Sequence, residues 1–157
     1  MKESFSEILN GYFRRLLPIL MTFILVLVAF VPTHMPLSHF LRPDFALICL
    51  YFWVLYRADL FGIVSVIAIG LVVDSLSGAP FGMNIMVFVF AYILTLWYGN
   101  YVNAKSFLVS WIGFSFVSFL AYVLKWALFS VYYKIFLSFG HIFVTYIVTI
   151  LIYPLIA

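Results

Sequence analysis

Long apolar segments alternate with short polar interruptions along the chain, a pattern typical of a polytopic membrane protein. The six apolar segments are Leu16–Val31, Phe45–Tyr56, Leu60–Leu76, Phe81–Tyr98, Phe107–Leu124 and Phe139–Ala157. A helix needs about 20 apolar residues to cross about 30 Å of hydrocarbon, and all but the second and third segments reach this with their flanks. Those two are short, so we expect neighbouring helices to shield them or the bilayer to thin around them.

Continuous hydrophobicity, rather than alternation, favours helices. We therefore predict an all-α fold with six transmembrane helices, several of them short. Residues 1–15 would form a cytoplasmic N-terminal segment and residues 16–157 the six-helix transmembrane domain. Because only Arg57, Ala58 and Asp59 separate the second and third segments, these two should form a tight hairpin with a polar turn.

Composition excludes a soluble domain. The chain is 68% hydrophobic and 8% charged, whereas soluble domains carry roughly 25% charged residues. No basic patch is long enough to indicate nucleic-acid binding. Cys49 is the only cysteine, so it cannot form a disulfide within the chain or a CxxC metal site, and its apolar surroundings favour a packing role.

The distribution of Lys and Arg predicts the orientation in the membrane. With the N-terminus inside, the inner face holds Lys2, Arg14, Arg15, Arg57 and Lys105, and the outer face holds Arg42, Lys125 and Lys134. This distribution favours a cytoplasmic N-terminus. The loops 32–43, 78–82 and 125–138 would then face outward.

Asp74 is the charged residue that most needs an explanation. A carboxylate in hydrocarbon costs at least a few kcal/mol, and the C-terminal end of a helix is unfavourable for an anion. Backbone N–H groups of the Ser77–Gly82 turn, or a basic side chain, could compensate. The sequence leaves open whether Asp74 only fixes the turn or contacts a substrate or partner. The absence of a side chain at Gly70, one turn earlier, would let another helix approach closely.

Arg42-Pro43-Asp44 is a second candidate site. Pro43 and Asp44 suit the first turn of a helix, where a missing N–H is not needed and a negative charge is favoured. Arg42 would lie just outside, on the same membrane face as Asp74. We hypothesise that Arg42 pairs with Asp74. The alternative is an interfacial arginine anchored to lipid headgroups.

The fifth segment carries a basic residue and many aromatic ones. Lys125 lies late in it and is expected to snorkel outward past Trp126. Its aromatic face comprises Phe114, Phe116, Phe119, Tyr122 and Trp126. This face would contact lipid or dock the helix of a partner.

Catalytic motifs are absent from the sequence. It contains no HExxH, GxSxG or P-loop pattern and no paired carboxylates. The histidines do not show metal-ligand spacing. We therefore expect neither enzymatic activity nor a metal or other cofactor.

Several of these residues belong to one extended pattern. The pattern is Arg42-Pro43-Asp44, an apolar span ending in Tyr56-Arg57, then Gly62 and the run Gly70-x-x-x-Asp74-x-x-Ser77-Gly78-x-x-x-Gly82. It resembles the MreD family of rod shape-determining proteins. The positions carried over as structural or partner contacts are Arg42, Pro43, Asp74, Ser77, Gly78 and Gly82. Gly62 and Gly70 are expected to serve helix packing.

The resemblance implies an inner-membrane component of the bacterial cell-elongation machinery that makes peptidoglycan. Its expected partners are MreC, MreB, the polymerase RodA with its class B penicillin-binding transpeptidase, and membrane lipids. It also implies a fold similar to the substrate-binding components of vitamin transporters.

The leading hypothesis is a non-enzymatic scaffold that offers a groove of helices to the single span of a partner. The alternative is a solute- or lipid-binding component of a transporter, which would need a closed cavity of about 300 Å³ or more. An enzyme acting on a lipid headgroup is the weakest hypothesis, since it would need paired acid and base groups.

Overall fold

The computed structural model describes residues 5–30, 43–101, 106–134 and 139–156, and these residues form helices and no strand. The helices are α1 (Phe5–Phe30), α2 (Phe45–Arg57), α3 (Ile63–Ser77), α4 (Met83–Tyr101), α5 (Phe107–Tyr133) and α6 (Phe139–Ile156). Each predicted apolar segment corresponds to one helix, so the six-helix, all-α prediction is confirmed. By length and composition, α4 and α5 are able to cross a membrane, while the other four contain shorter apolar stretches.

Two helices extend beyond their predicted bounds. The first begins at Phe5 rather than Leu16, so α1 includes most of the segment that we assigned to the cytoplasm. The fifth continues past Leu124 to Tyr133, so the predicted loop at 125–138 is wrong over its first nine residues. The first of these nine residues, Lys125, lies beside Asp44, with 3.7 Å between Lys125 Nζ and Asp44 Oδ2.

Helix α2 lies at the centre of the bundle and contacts each of the other five helices. Its residues 46–51 and Val54 are buried. At 1.5 Å per residue this helix is only about 20 Å long. For a short segment we expected either shielding by neighbouring helices or a thinner bilayer. Shielding applies to α2, because little of its surface remains to face lipid.

The outer helices pack around α2 in a partly open arrangement. Helix α3 packs on α4, α4 on α5, and α5 on α6, while α1 packs on α2 and α3. Within the described ranges, α1 and α6 both contact α2 but do not contact each other. This leaves a seam between α1 and α6, whose floor is α2.

Burial distinguishes the faces of α3 and of α5. On α3 the buried stripe is Val66, Ile69, Gly70, Val73 and Asp74, whereas Ile63 and Ile67 are exposed. On α5, we expected one aromatic face toward lipid or a partner. Phe114 and Tyr122 of that face belong to the core, whereas Phe116 and Phe119 are exposed.

The bundle has two chemically different ends. At one end α1 and α3 finish while α2 and α4 begin, and we call this the carboxylate end because it contains Asp44 and Asp74. At the opposite end Tyr51, Phe114 and Tyr153 form an aromatic cluster, with the last two rings stacked at 4.3 Å between centroids. The cluster joins α2, α5 and α6.

Candidate functional site

The Asp74 carboxylate is 1% exposed and accepts three hydrogen bonds. Asp74 Oδ2 accepts from Gly82 N at 2.8 Å, and Oδ1 accepts from both Asn84 N and Asn84 Nδ2 at 2.9 Å. Since α4 begins at Met83, these backbone N–H groups belong to its first turn and have no partner within the helix. A side chain at the end of α3 thus caps α4, whose positive dipole end offsets the unfavourable end of α3.

Two glycines shape the turn that brings Gly82 and Asn84 to this carboxylate. Gly78 has φ +65° and ends α3, and Gly82 has φ +96° immediately before α4. Both values lie in the left-handed region, where an L side chain is strained. Ser77 Oγ donates to Asp74 O and accepts from Ala79 N, both at 3.4 Å. We call residues 74–84 the Asp74 turn.

The structure separates the two glycines that we expected to serve helix packing. A Cβ at Gly70 would lie 2.8 Å from Ile85 Cα, so α3 and α4 approach too closely for any side chain there. A Cβ at Gly62 would meet nothing within 4 Å among the described residues, and the packing role of Gly62 stays a prediction. Gly62 is the N-cap of α3, with extended backbone, and its carbonyl accepts from Ser65 N and Val66 N.

Arg42 lies outside the described residues, so its pairing with Asp74 stays a prediction. Pro43 and Asp44 do not occupy the first turn of α2 as expected. The helix starts one residue later, at Phe45, because Asp44 is its N-cap and Asp44 Oδ1 accepts from Leu47 N at 3.2 Å. Pro43 lies outside the helix, where its carbonyl accepts from Phe45 N.

Asp44 is the centre of a network that the sequence did not reveal. Asp44 N donates to Thr149 Oγ1 at 3.2 Å, and Thr149 Oγ1 lies 3.1 Å from Tyr122 Oη. Lys125 lies across from it, and the side chains of Asp44 and Lys125 are only 16% and 26% exposed. We expected Lys125 to snorkel outward; its ammonium group is instead paired. Matching each charged residue of an apolar helix with every opposite charge in the sequence would have given Lys125 and Asp44 as one of several possible pairs.

A cavity of about 150 Å³ opens at the carboxylate end and touches all six helices. Its lining combines the Asp44 network with the Asp74 turn. It consists of Val26, Ala29, Phe30, Pro43, Asp44, Phe45, Ala46, Val73, Ser77, Asn84, Tyr122, Lys125 and Thr145. Asn84 is 1% exposed and its Oδ1 accepts no hydrogen bond from any described group. Such an unpaired buried acceptor is uncommon.

An apolar groove of about 110 Å³ lies between α5 and α6. Its walls are Phe119, Tyr122, Val123, Trp126, Ile142, Phe143 and Tyr146. The two tyrosine hydroxyls bond inside the bundle, since Tyr122 Oη lies 3.1 Å from Thr149 Oγ1 and Tyr146 Oη lies 3.2 Å from Ser115 Oγ. The groove therefore presents ring faces and aliphatic groups.

The aromatic end contains a second glycine contact that sequence reasoning missed. Tyr51 Oη donates to Ser110 O at 3.0 Å, and Tyr98 Oη donates to Val109 O at 2.9 Å. Both hydroxyls reach the backbone of α5 because Gly113 has no side chain; a Cβ there would lie 2.6 Å from Tyr51 Oη. Gly113 lies in an apolar run without a second glycine or a polar motif nearby, so the sequence does not indicate this close contact.

The described part of the chain contains no cluster of three His, Cys, Asp or Glu side chains that could hold a metal ion. Cys49 is buried and forms no disulfide, in agreement with a packing role. Arg57 and Asp59 form an exposed pair at 3.4 Å between Nε and Oδ1. The carboxylate end holds charged groups and hydrogen-bond donors in place.

Comparisons with known proteins agree with the resemblance seen in the sequence. One relative is an uncharacterized protein of Rickettsia prowazekii (strain Madrid E), which is 28% identical over 116 residues. The match covers 73% of this chain and 62% of that relative, so the chain spans less than two thirds of its length. No solved structure matches the chain. The family of the rod shape-determining protein MreD matches residues 13–157, nearly the whole chain, including the Asp74 turn. The chain therefore belongs to the MreD family, a family of membrane proteins that determine rod shape.

Proposed function

We propose that the chain is a multi-pass protein of the bacterial inner membrane and acts as a non-enzymatic scaffold of the cell-elongation complex. In this proposal it binds the single membrane span of MreC, and through MreC it connects with MreB, RodA and the class B transpeptidase. Family membership supports the role in rod shape. The excess of Lys and Arg on one set of loops supports a cytoplasmic N-terminus, which places the carboxylate end at the outer face.

The observation that carries the scaffold proposal is the apolar groove between α5 and α6. Helices associate in a membrane by close packing, since lipid tails are as apolar as leucine side chains. Phe119 and Phe143 are 49% and 58% exposed on its two walls, and they would pack against the side chains of an inserted helix. Because the groove's hydroxyl groups already bond inside the bundle, an apolar helix can enter without leaving a polar group unpaired.

The size of the cavity supports a scaffold over a transporter component. Sites for small molecules usually enclose about 300–1,000 Å³, and the cavity at the carboxylate end has about 150 Å³. The cavity is therefore smaller than the usual site for a small molecule. The proposed likeness to the substrate-binding components of vitamin transporters stays a prediction.

The test combines deletion with groove variants. Deleting the gene in a rod-shaped host should give round cells that the wild-type gene restores to rods. The double variant Phe119→Ala/Phe143→Ala should lose most co-purification with MreC and restore rods poorly.

The matched control is Phe116→Ala/Leu151→Ala, which removes two side chains of similar exposure from the same two helices outside the groove. It should bind MreC as the wild type does. Rods of normal width after deletion would overturn the role in cell shape. Equal loss of MreC from both double variants would overturn the groove as its binding site.

A further inference from the structure

The cavity at the carboxylate end contains polar groups that the scaffold role does not use. Lys125 Nζ and Asp44 Oδ2 are 3.7 Å apart, which is longer than the 2.7–2.9 Å of a charge-assisted hydrogen bond. The side chains of both residues line the cavity. The cavity thus offers a loosely held ion pair.

We infer that this cavity binds a zwitterionic amine-phosphate group, the chemistry of a phosphatidylethanolamine headgroup. The ammonium group of such a ligand would donate to Asp44, and its phosphate would lie near Lys125. One ligand would then give both charged side chains a close partner, which neither a simple anion nor a simple cation does. Asp74 takes no direct part, because its carboxylate already accepts three hydrogen bonds.

Cavity size agrees with this class of ligand. At about 30 Å³ per molecule, the cavity has room for about five waters. A phosphoethanolamine group fits this space. The apolar part of the lining comes mainly from α1 and α2, with Val26, Ala29 and Ala46, and it would contact the methylene groups of the ligand.

The position of the cavity favours a lipid as the source. It lies at the ends of α1 and α3 and the beginnings of α2 and α4, at the level where a membrane places its headgroups. Phe30 of α1 and Thr145 of α6 both line it, and in the described ranges these two helices do not contact each other. The seam between α1 and α6 would let the acyl chains of a bound lipid remain in the bilayer.

The experiment compares lipids that differ only in the N–H donors of the headgroup. The full chain, purified in detergent, is titrated with phosphatidylethanolamine or phosphatidylcholine of the same acyl chains, and bound lipid is counted by native mass spectrometry. Choline has the same charges but no N–H, so the wild type should prefer ethanolamine by tenfold or more, which is about 1.4 kcal/mol. Soluble phosphoethanolamine is the competitor that separates the two sources: strong competition would indicate a free metabolite, and weak competition a lipid.

Three variants assign the preference to the cavity. Asp44→Asn removes the charge but retains an oxygen for Leu47 N, and it should abolish the preference. Ala29→Leu fills the cavity without changing a polar group and should also abolish it, which keeps the test valid if Asp44→Asn folds poorly. Asp59→Asn, in the exposed pair at the other end of α2, should retain it. Equal binding of both lipids by the wild type, or an unchanged preference in Ala29→Leu, would overturn the inference.

Discussion

Asp44 and Asp74 both place a carboxylate at the start of a helix, yet their surroundings assign them different tasks. Asp74 caps α4 from a neighbouring helix and uses both oxygens on three N–H donors. Asp44 caps its own helix with Oδ1, and the contact that Oδ2 makes within the described residues is a long one with Lys125 at the edge of a cavity. The number of carboxylate oxygens that still lack a hydrogen-bond donor, rather than burial alone, separates a carboxylate that fixes structure from one that can bind a ligand.

Removing the Asp74 carboxylate should have the largest effect on stability. Asp74→Ala leaves two backbone N–H groups and the Asn84 amide without an acceptor, and each unpaired buried donor costs about 1–3 kcal/mol. We expect a loss of at least about 3 kcal/mol in the free energy of unfolding, measured by denaturation in detergent with circular dichroism. Asp74→Asn retains one acceptor oxygen and should lose less.

The control for this measurement is Asp59→Ala, because Asp59 is exposed and its pair with Arg57 is of the kind worth less than about 1 kcal/mol. Its unfolding should match that of the wild type. If Asp74→Ala unfolds like Asp59→Ala, the cap on α4 contributes little to stability. The distinction between a structural Asp74 and a ligand-binding Asp44 would then be lost.

The close contact of α3 with α4, which holds the Asp74 turn in place, should give the next largest effect. In Gly70→Ala the new Cβ would meet the backbone of Ile85 at 2.8 Å, so the helices must separate. Overpacking of this kind costs about 1–3 kcal/mol. Gly62→Ala adds the same methyl group where nothing lies within 4 Å, and it should change stability by less than about 1 kcal/mol. Equal unfolding midpoints for the two alanine variants would contradict this account.

Local patterns in the sequence predicted most of the fold. Each of the six apolar runs corresponds to one helix, although α1 and α5 extend beyond their runs. The Gly-rich stretch from Gly70 to Gly82 indicated a sharp turn, and Gly78 and Gly82 do adopt left-handed backbone there. Of the two kinds of partner considered for Asp74, backbone N–H groups of the turn are present in the structure.

The remainder depends on contacts between residues far apart in the chain, which a single sequence does not encode visibly. Lys125 lies beside Asp44 in the fold, and neither residue marks the other in the sequence. Gly62 and Gly70 look alike as glycines next to apolar residues, yet only Gly70 faces another backbone. The cavity likewise needs all six helices, so no segment alone could indicate it.

The smallest effect should come from the ion pair between Asp44 and Lys125, and a double-mutant cycle would sharpen the comparison of the two carboxylates. The variants are Asp44→Asn, Lys125→Met and their combination, each measured by unfolding in detergent free of phosphatidylethanolamine. Because the atoms are 3.7 Å apart and both side chains are partly exposed, we expect a coupling energy of about 0.5–1 kcal/mol. The same cycle on Arg57 and Asp59 should give a value near zero. A coupling of several kcal/mol would mean that Asp44 is as fully engaged in structure as Asp74. That result would leave no loosely held charge at the cavity for a ligand to meet.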